Sequence, residues 1–176
     1  HKFLDQAFDR GAAGAIVSQD TPHPNVLVSD TFAALEALAK ASRARTLARI
    51  VGVTGSAGKT GTKEALFAAL DRSPAKSAHR SVKSYNNHTG VPLSLARMPA
   101  EVDYGVFEMG MNHPGELAHL TTLVRPHVAI VTDPGDYGEL LSELSANDGA
   151  TSFDFRKRLA AKAYALTAAY DSTISQ

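Results

Sequence analysis

The chain contains no cysteine, which removes both a disulfide framework and a thiolate metal site. It has no surplus of either charge: 18 basic and 18 acidic residues cancel. A nucleic-acid or anionic-membrane binder would show a basic footprint, so neither class is expected. No apolar run approaches the roughly 20 residues of a membrane-spanning helix. The opening "HKFLDQAFDRG" has neither initiator Met nor signal-peptide pattern and reads as a piece that begins mid-domain. Against these absences, 44% hydrophobic and 20% charged residues are ordinary for a globular protein. The 176 residues suffice for one core or two small lobes. No internal repeat is evident.

Hydrophobic spacing alternates between helix and strand. Phe3, Leu4, Ala7 and Phe8 share a helical stripe that Gly11 can stop. "AGAIVS" and "NVLVSD" read as short strands. "DTFAALEALAKASRAR" reads as a helix through Phe32, Leu35, Leu38 and Ala39, with Asp30 as N-cap. There follow a strand "ARIVGVTG", a helix "KTGTKEALFAALDRS", a polar loop "SAHRSVKSYNNHTG", and "VPLSLARMP". A strand "YGVFEMG", a helix "HPGELAHLTTLV" and a strand "HVAIVT" complete the pattern. Strands alternating with helices predict parallel βαβ units and an α/β fold. After Thr132 the texture changes. Asp133, Asp136, Glu139, Glu143, Asp148 and Asp154 occur with no basic residue among them, and an alanine-rich helix "RKRLAAKAYALTAAY" follows. The acidic stretch reads as a solvated loop or weak helix rather than a cation site.

"RIVGVTGSAGKTGTKEALFAAL" joins a strand to a helix through a glycine-rich turn. Small residues at Gly55, Ser56, Ala57 and Gly58 let backbone N–H groups approach phosphate oxygens. The following helix adds unsatisfied N–H groups and the positive end of its dipole. Lys59 supplies a point charge for β- and γ-phosphates, and the Thr60 hydroxyl can join a magnesium shell. Val53 stands where the longer Walker pattern has its first glycine, leaving the shorter "TGSAGKT". A phosphate loop of this kind needs a metal partner. Glu108, at the end of "YGVFE", would face the crevice above a parallel sheet; a structural carboxylate satisfied by backbone N–H groups is the alternative. Asn112 and His113 either face the same crevice, or Asn112 caps a helix beginning at Pro114. His1, His23, His79, His119 and His127 lack ligand spacing and are expected on the surface or in loops. Met98, Met109 and Met111 read as packing.

In order, "VTGSAGKTGTKEAL", "YNNHTGVPLSLARMP", "FEMGMNHPGE" and "RPHVAIVT" resemble the Mur ligases of peptidoglycan synthesis, over about Gly11 to Thr132. The resemblance implies a parallel-sheet, P-loop-type central domain preceded by part of a small α/β N-terminal domain. The boundaries are 1–47 (partial uridine-nucleotide-binding domain), 48–132 (partial central ATP-binding domain) and 133–176 (unassigned tail). It also implies an ATP-dependent, cytoplasmic ligase in which ATP phosphorylates the terminal carboxylate of UDP-N-acetylmuramoyl-tripeptide. The amine of D-Ala-D-Ala then displaces phosphate from the acyl phosphate. Gly55, Ser56, Ala57, Gly58, Lys59, Thr60 and Gly61 would wrap the triphosphate. Thr60 and Glu108 would hold Mg2+, and Lys59 and Glu108 would carry the catalytic charge. Asn86, Asn87 and His88 match the family's loop near the muramoyl-peptide, although an Asn-rich turn ahead of Gly90 accounts for them equally.

The chain departs from the family in three places. Gly61 replaces the hydroxyl residue usual after the Lys-Thr pair. The opening of the N-terminal domain is missing. After "HVAIVT" the chain continues as "DPGDYGELLSEL", and neither the family's downstream His nor its carbamylated lysine can be placed. Two expectations compete: a ligase segment whose activity needs the complete enzyme, or an incomplete fragment that at most binds nucleotide phosphates. A small P-loop kinase is weaker, lacking a base and lid residues. Exposed sheet edges would favour self-association.

Overall fold

Residues 3–72 and 76–174 are described by a computed structural model; His1 lies outside them. Helix α1 (Leu4–Asp9) stops at Gly11, which takes φ 91°. Strands β1 (Ala15–Val17) and β2 (Asn25–Leu27) pair in parallel, Ala15 opposite Asn25. His23 stacks on Phe8 with ring centroids 4.2 Å apart, and the Asn25 amide donates to the Thr21 and His23 carbonyls, which fixes the turn between the strands. The Asp30 carboxylate caps α2 (Thr31–Arg45), accepting from the Phe32 and Ala33 N–H groups at 2.7 and 3.2 Å. That satisfies two donors that the first helical turn leaves without backbone partners.

The main sheet is built from β3 (Arg49–Gly55), β4 (Ala78–Arg80), β5 (Tyr104–Glu108) and β6 (Val128–Thr132). Its order is β4-β5-β3-β6 and every pairing is parallel. Helix α3 (Lys59–Leu70) follows β3, α4 (Gly90–Ala96) lies between β4 and β5, and α5 (Glu116–Val124) follows β5. β4 falls within the segment read as a polar loop. Ala-His-Arg has no strand signature of its own, and its register against Tyr104–Val106 makes it one. His79 on this strand is half-buried and bonded to the Ser94 carbonyl at 2.9 Å, and His127 Nδ1 accepts from the Ile50 N–H. His79, expected at the surface or in a loop, instead sits half-buried on a strand, whereas His127 is exposed in the loop before β6 as expected.

Side chains on a strand alternate between faces. Gly52 lies opposite Phe107 and Val53 opposite Glu108. One face therefore carries Ile50 and Phe107, which pack with Ala39, Val91, Leu95, Met98, Leu120 and Val124 of the α2, α4 and α5 layer. A Cβ on Gly52 would stand 2.5 Å from the end of the Met109 side chain, which packs over this glycine. Met98, Met109 and Met111 are buried, as their reading as packing requires. The opposite face carries Val53, Val106 and Glu108 beneath α3. The same alternation that builds the core thus delivers one carboxylate to the α3 side.

Beyond β6, a 3-10 turn (Pro134–Asp136) leads into α6 (Tyr137–Ala146) and then α7 (Phe153–Ile174). The acidic stretch is largely helical, and α7 supplies its countercharges: Arg158 pairs with Glu139, and Lys162 with Asp133 and Asp136. No described helix is long and apolar enough to cross a membrane.

Arg43 ties α2 to the end of α5. Its Nε donates to the Val124 carbonyl at 2.8 Å and its Nη2 to that of Arg125 at 2.9 Å. Burial, followed by the neighbouring Arg125 guanidinium, holds its pKa below the ordinary arginine value. Arg43→Met leaves those carbonyls without their donors, and urea unfolding should show a loss of about 1–3 kcal/mol. An unchanged midpoint would mean that water replaces the guanidinium at no cost.

Candidate functional site

The turn between β3 and α3 depends on two glycines in the left-handed region. Gly55 has φ 128° and Gly58 φ 83°. A Cβ on Gly55 would stand 2.4 Å from the Thr132 carbonyl and hydroxyl oxygens, so only glycine fits against β6. The Thr132 hydroxyl lies within hydrogen-bond reach of the Thr54 and Ala57 carbonyls, which pins both ends of the loop to the neighbouring strand. Ser56, Ala57 and Gly58 are left exposed, their backbone open to a ligand. Lys59 folds back over the loop, with Nζ 2.6 Å from the Gly55 carbonyl and 3.4 Å from that of Ser56. Gly61 sits in the first turn of α3 with open space around its Cα.

Glu108 is 1% exposed. Its Oε2 accepts from the Thr60 hydroxyl at 2.9 Å and its Oε1 from the Asn86 amide at 2.8 Å. The Lys63 ammonium, itself fully buried, lies 3.7 Å from Oε2 and donates to the Lys83 carbonyl. The Glu108 N–H donates to the Ser81 hydroxyl. The carboxylate is therefore satisfied by side chains and an ammonium, not by backbone N–H groups. Lys63 was missed in the sequence, although three positions after Thr60 places both on one helical stripe. Ser81 was missed with β4, beside which it lies. Lys63 also sits 3.2 Å from Glu64. Burial pushes the Glu64 carboxyl up, but Lys63 and Arg80 outweigh that and hold it below its usual value.

The remaining sequence candidates separate. The Asn86 carbonyl accepts from the Gly110 N–H at 2.6 Å, joining the loop to the end of β5. Asn87 turns its Oδ1 to the Gly90 N–H at 2.8 Å, the turn role that its spacing allowed. His88 lies against the Phe32 ring of α2, with ring centroids 5.6 Å apart. Asn112 does not cap a helix at Pro114. Helix α5 begins at Glu116, with Gly115 (φ 74°) as its N-cap, and the Glu116 carboxylate accepts from the Asn112 N–H at 2.7 Å. A Cβ on Gly110 would meet Asn112 Nδ2 at 2.8 Å, so Asn112 borders the Asn86 side of the crevice. His113 is exposed and lines a separate depression with Leu117 and Thr167.

A hydroxyl and a carboxylate in direct contact are hard oxygen donors of the kind magnesium accepts. Among the described residues no three acidic or histidine side chains converge on a metal position. Thr60 and Glu108 fit magnesium only with phosphate and water completing its shell. On the other side of β3, a cavity of about 390 Å³ opens between β6, α6 and α7. At its end Lys162 reaches Asp133 Oδ2 at 2.9 Å and also pairs with Asp136. Lys162 and the Gly135 N–H hold the Asp133 carboxyl below its ordinary value, while Asp136 and Asp133 raise that of Lys162.

Residues 53–135 match the family model described as the Mur ligase middle domain, and residues 125–176 match that of the AICARFT/IMPCHase bienzyme. The matches overlap across β6. The UDP-N-acetylmuramoyl-tripeptide--D-alanyl-D-alanine ligase of Bacillus subtilis is 36% identical over 154 residues, covering 85% of this chain and 33% of that protein. Its namesake in Escherichia coli is 41% identical over 135 residues, covering 76% and 29%. A solved ligase of this kind from Acinetobacter baumannii aligns with TM-score 0.64 at 34% identity, over 74% of this chain and 30% of that one. A MurF ligase from Thermotoga maritima, solved in complex with ADP, aligns with TM-score 0.60 at 33% identity, covering 74% and 31%. The chain spans about a third of the length of the curated relatives it matches.

Removing one partner of a buried pair strands the other. Lys63→Met should destabilise the chain by about 3–5 kcal/mol, and adding Glu108→Gln should recover part of that loss. Urea unfolding of both single variants and the double variant checks it; strictly additive losses would mean that the two groups do not interact.

Proposed function

Through residues 53–135 this chain belongs to the Mur ligase family, and from that premise we propose that it supplies the nucleotide-phosphate and magnesium site of a cytoplasmic, ATP-dependent ligase. That ligase joins D-Ala-D-Ala to UDP-N-acetylmuramoyl-tripeptide in peptidoglycan synthesis. The observation that carries the reading is the 2.9 Å contact between Thr60, at the head of the phosphate loop, and the buried Glu108 across the crevice. The ADP complex of the Thermotoga maritima relative supports it. Residues 1–47 then belong to a uridine-nucleotide-binding domain and 48–132 to the central domain.

In this reading Lys59 leaves the Gly55 and Ser56 carbonyls for the β- and γ-phosphate oxygens. The exposed backbone from Ser56 to Gly58 and the first turn of α3 donate N–H groups to the same phosphates. Magnesium, held by Thr60 and Glu108, would neutralise charge on the transferring phosphoryl group. Asn86 and Lys63 fix the Glu108 carboxylate from its other sides, so its orientation costs nothing during reaction. The tripeptide carboxylate attacks the γ-phosphorus and ADP leaves. The D-Ala-D-Ala amine then adds to the acyl phosphate, loses its proton, and phosphate departs as the amide forms. Asn86 and Asn112 border the crevice where the acyl group would lie. Asn87, His88 and His113 act through the loops they shape.

The tail favours a second reading. The middle-domain match stops at 135, and the segment beyond it matches a different family. A chain so composed would bind nucleotide phosphates without completing ligation.

Mg-ATP at about 100 times its dissociation constant should stabilise the folded chain by roughly 2.7 kcal/mol, a shift of several degrees that Lys59→Ala abolishes. Phosphate release that requires both the nucleotide-linked tripeptide and D-Ala-D-Ala supports the ligase. A melting shift without such release supports the second reading, and no shift in the unsubstituted chain refutes both.

A further inference from the structure

The strand that carries the phosphate loop has Glu108 on one side and the join between the two family segments on the other. β3 pairs with β5 through Val53 and Glu108, and with β6 through Gly55 and Thr132. The cavity of about 390 Å³ lies on the β6 side, and its size falls within the range of small-molecule sites. Its walls are apolar, from Ile130, Leu140, Leu159 and Leu166. Its polar groups are Thr62, Thr132 and Tyr137 together with the Lys162, Asp133 and Asp136 cluster.

Two lining residues are shared with the phosphate loop. The Thr132 hydroxyl reaches the Ala57 carbonyl, and the Tyr137 hydroxyl stands 2.9 Å from where a Cβ on Gly58 would be. The cavity thus adjoins the loop, which is cationic and N–H-rich where the cavity is apolar. A ligand spanning the two would be anionic at one end and weakly polar at the other. Most of the cavity wall lies beyond residue 135, in the segment that the middle-domain match leaves.

We propose that this cavity takes the base and ribose of a nucleoside triphosphate whose phosphates occupy Gly55 to Thr60. The base lies among Leu140, Leu159 and Leu166, with Asp133 and Asp136 as acceptors for its N–H groups. Tyr137 stands at the junction between sugar and phosphate. The inference rests on the phosphate-loop reading above, and adds that the tail residues, not the loop alone, select a nucleotide over a bare polyphosphate.

Titration calorimetry of the full chain with magnesium and either ATP or inorganic tripolyphosphate separates the two ideas. ATP should bind about tenfold tighter or more, because only ATP buries an apolar ring. Ala163→Trp, which fills the cavity from α7, should bring ATP down to the affinity of tripolyphosphate and leave tripolyphosphate unchanged. Should that variant fail to fold, Leu166→Ala should narrow the ratio in the same direction. Equal affinities in the unsubstituted chain overturn the cavity while leaving the phosphate loop standing. An ATP preference untouched by a folded Ala163→Trp or Leu166→Ala also overturns it. Binding of neither ligand overturns both.

Discussion

Everything at the candidate site depends on surrounding one carboxylate, held out of water, with partners. Glu108 is buried on the α3 face of the sheet, and an isolated charge there would be expensive. Lys63 provides the countercharge, while Thr60 and Asn86 each fill one carboxylate oxygen. The arrangement draws on three stretches distant in sequence: the start of α3, the loop after β4 and the end of β5. Thr60 and Lys63 are positioned by α3 and Glu108 by β5, whereas Asn86 comes from a loop in which Lys83, the acceptor for Lys63, takes φ 52°.

The same carboxylate explains why α3 carries a buried lysine at all. A lysine on the core side of a helix is normally a liability. Here it occupies the stripe that faces β5, where an apolar residue would strand Glu108. In the site proposed for magnesium, Thr60 and Glu108 would offer a carboxylate whose charge Lys63 already partly balances, so the metal's affinity would lean on the phosphates that came with it.

Much of this was legible in the sequence. The β3 run into glycine, the Asp30 cap and the acid closing β5 are local signals, and each sits where it reads. What was illegible is long-range. Nothing in Ala-His-Arg announces β4, because the partner strand imposes it. Lys63 looks like any helix lysine until β5 brings Glu108 beneath it. Asn112 reads as a cap, yet the Glu116 side chain turns back to it and Gly115 takes the cap position. The tail was legible only as a change of texture. Residues 125–176, which contain that change, match a different family model.

The overlap of the two family matches contains β6, an edge strand whose sole sheet neighbour among the described residues is β3. Glu108, Asn86 and Lys63 all lie on the far side of β3. A foreign continuation can therefore be grafted at β6 without disturbing a single register pair of β4, β5 and β3. The phosphate loop meets β6 and α6 through Thr132 and Tyr137, beside Gly55 and Gly58. The sheet margin keeps the two apart: the Glu108 cluster lies on the β5 side of β3, and the segment that matches the second family continues from the β6 side.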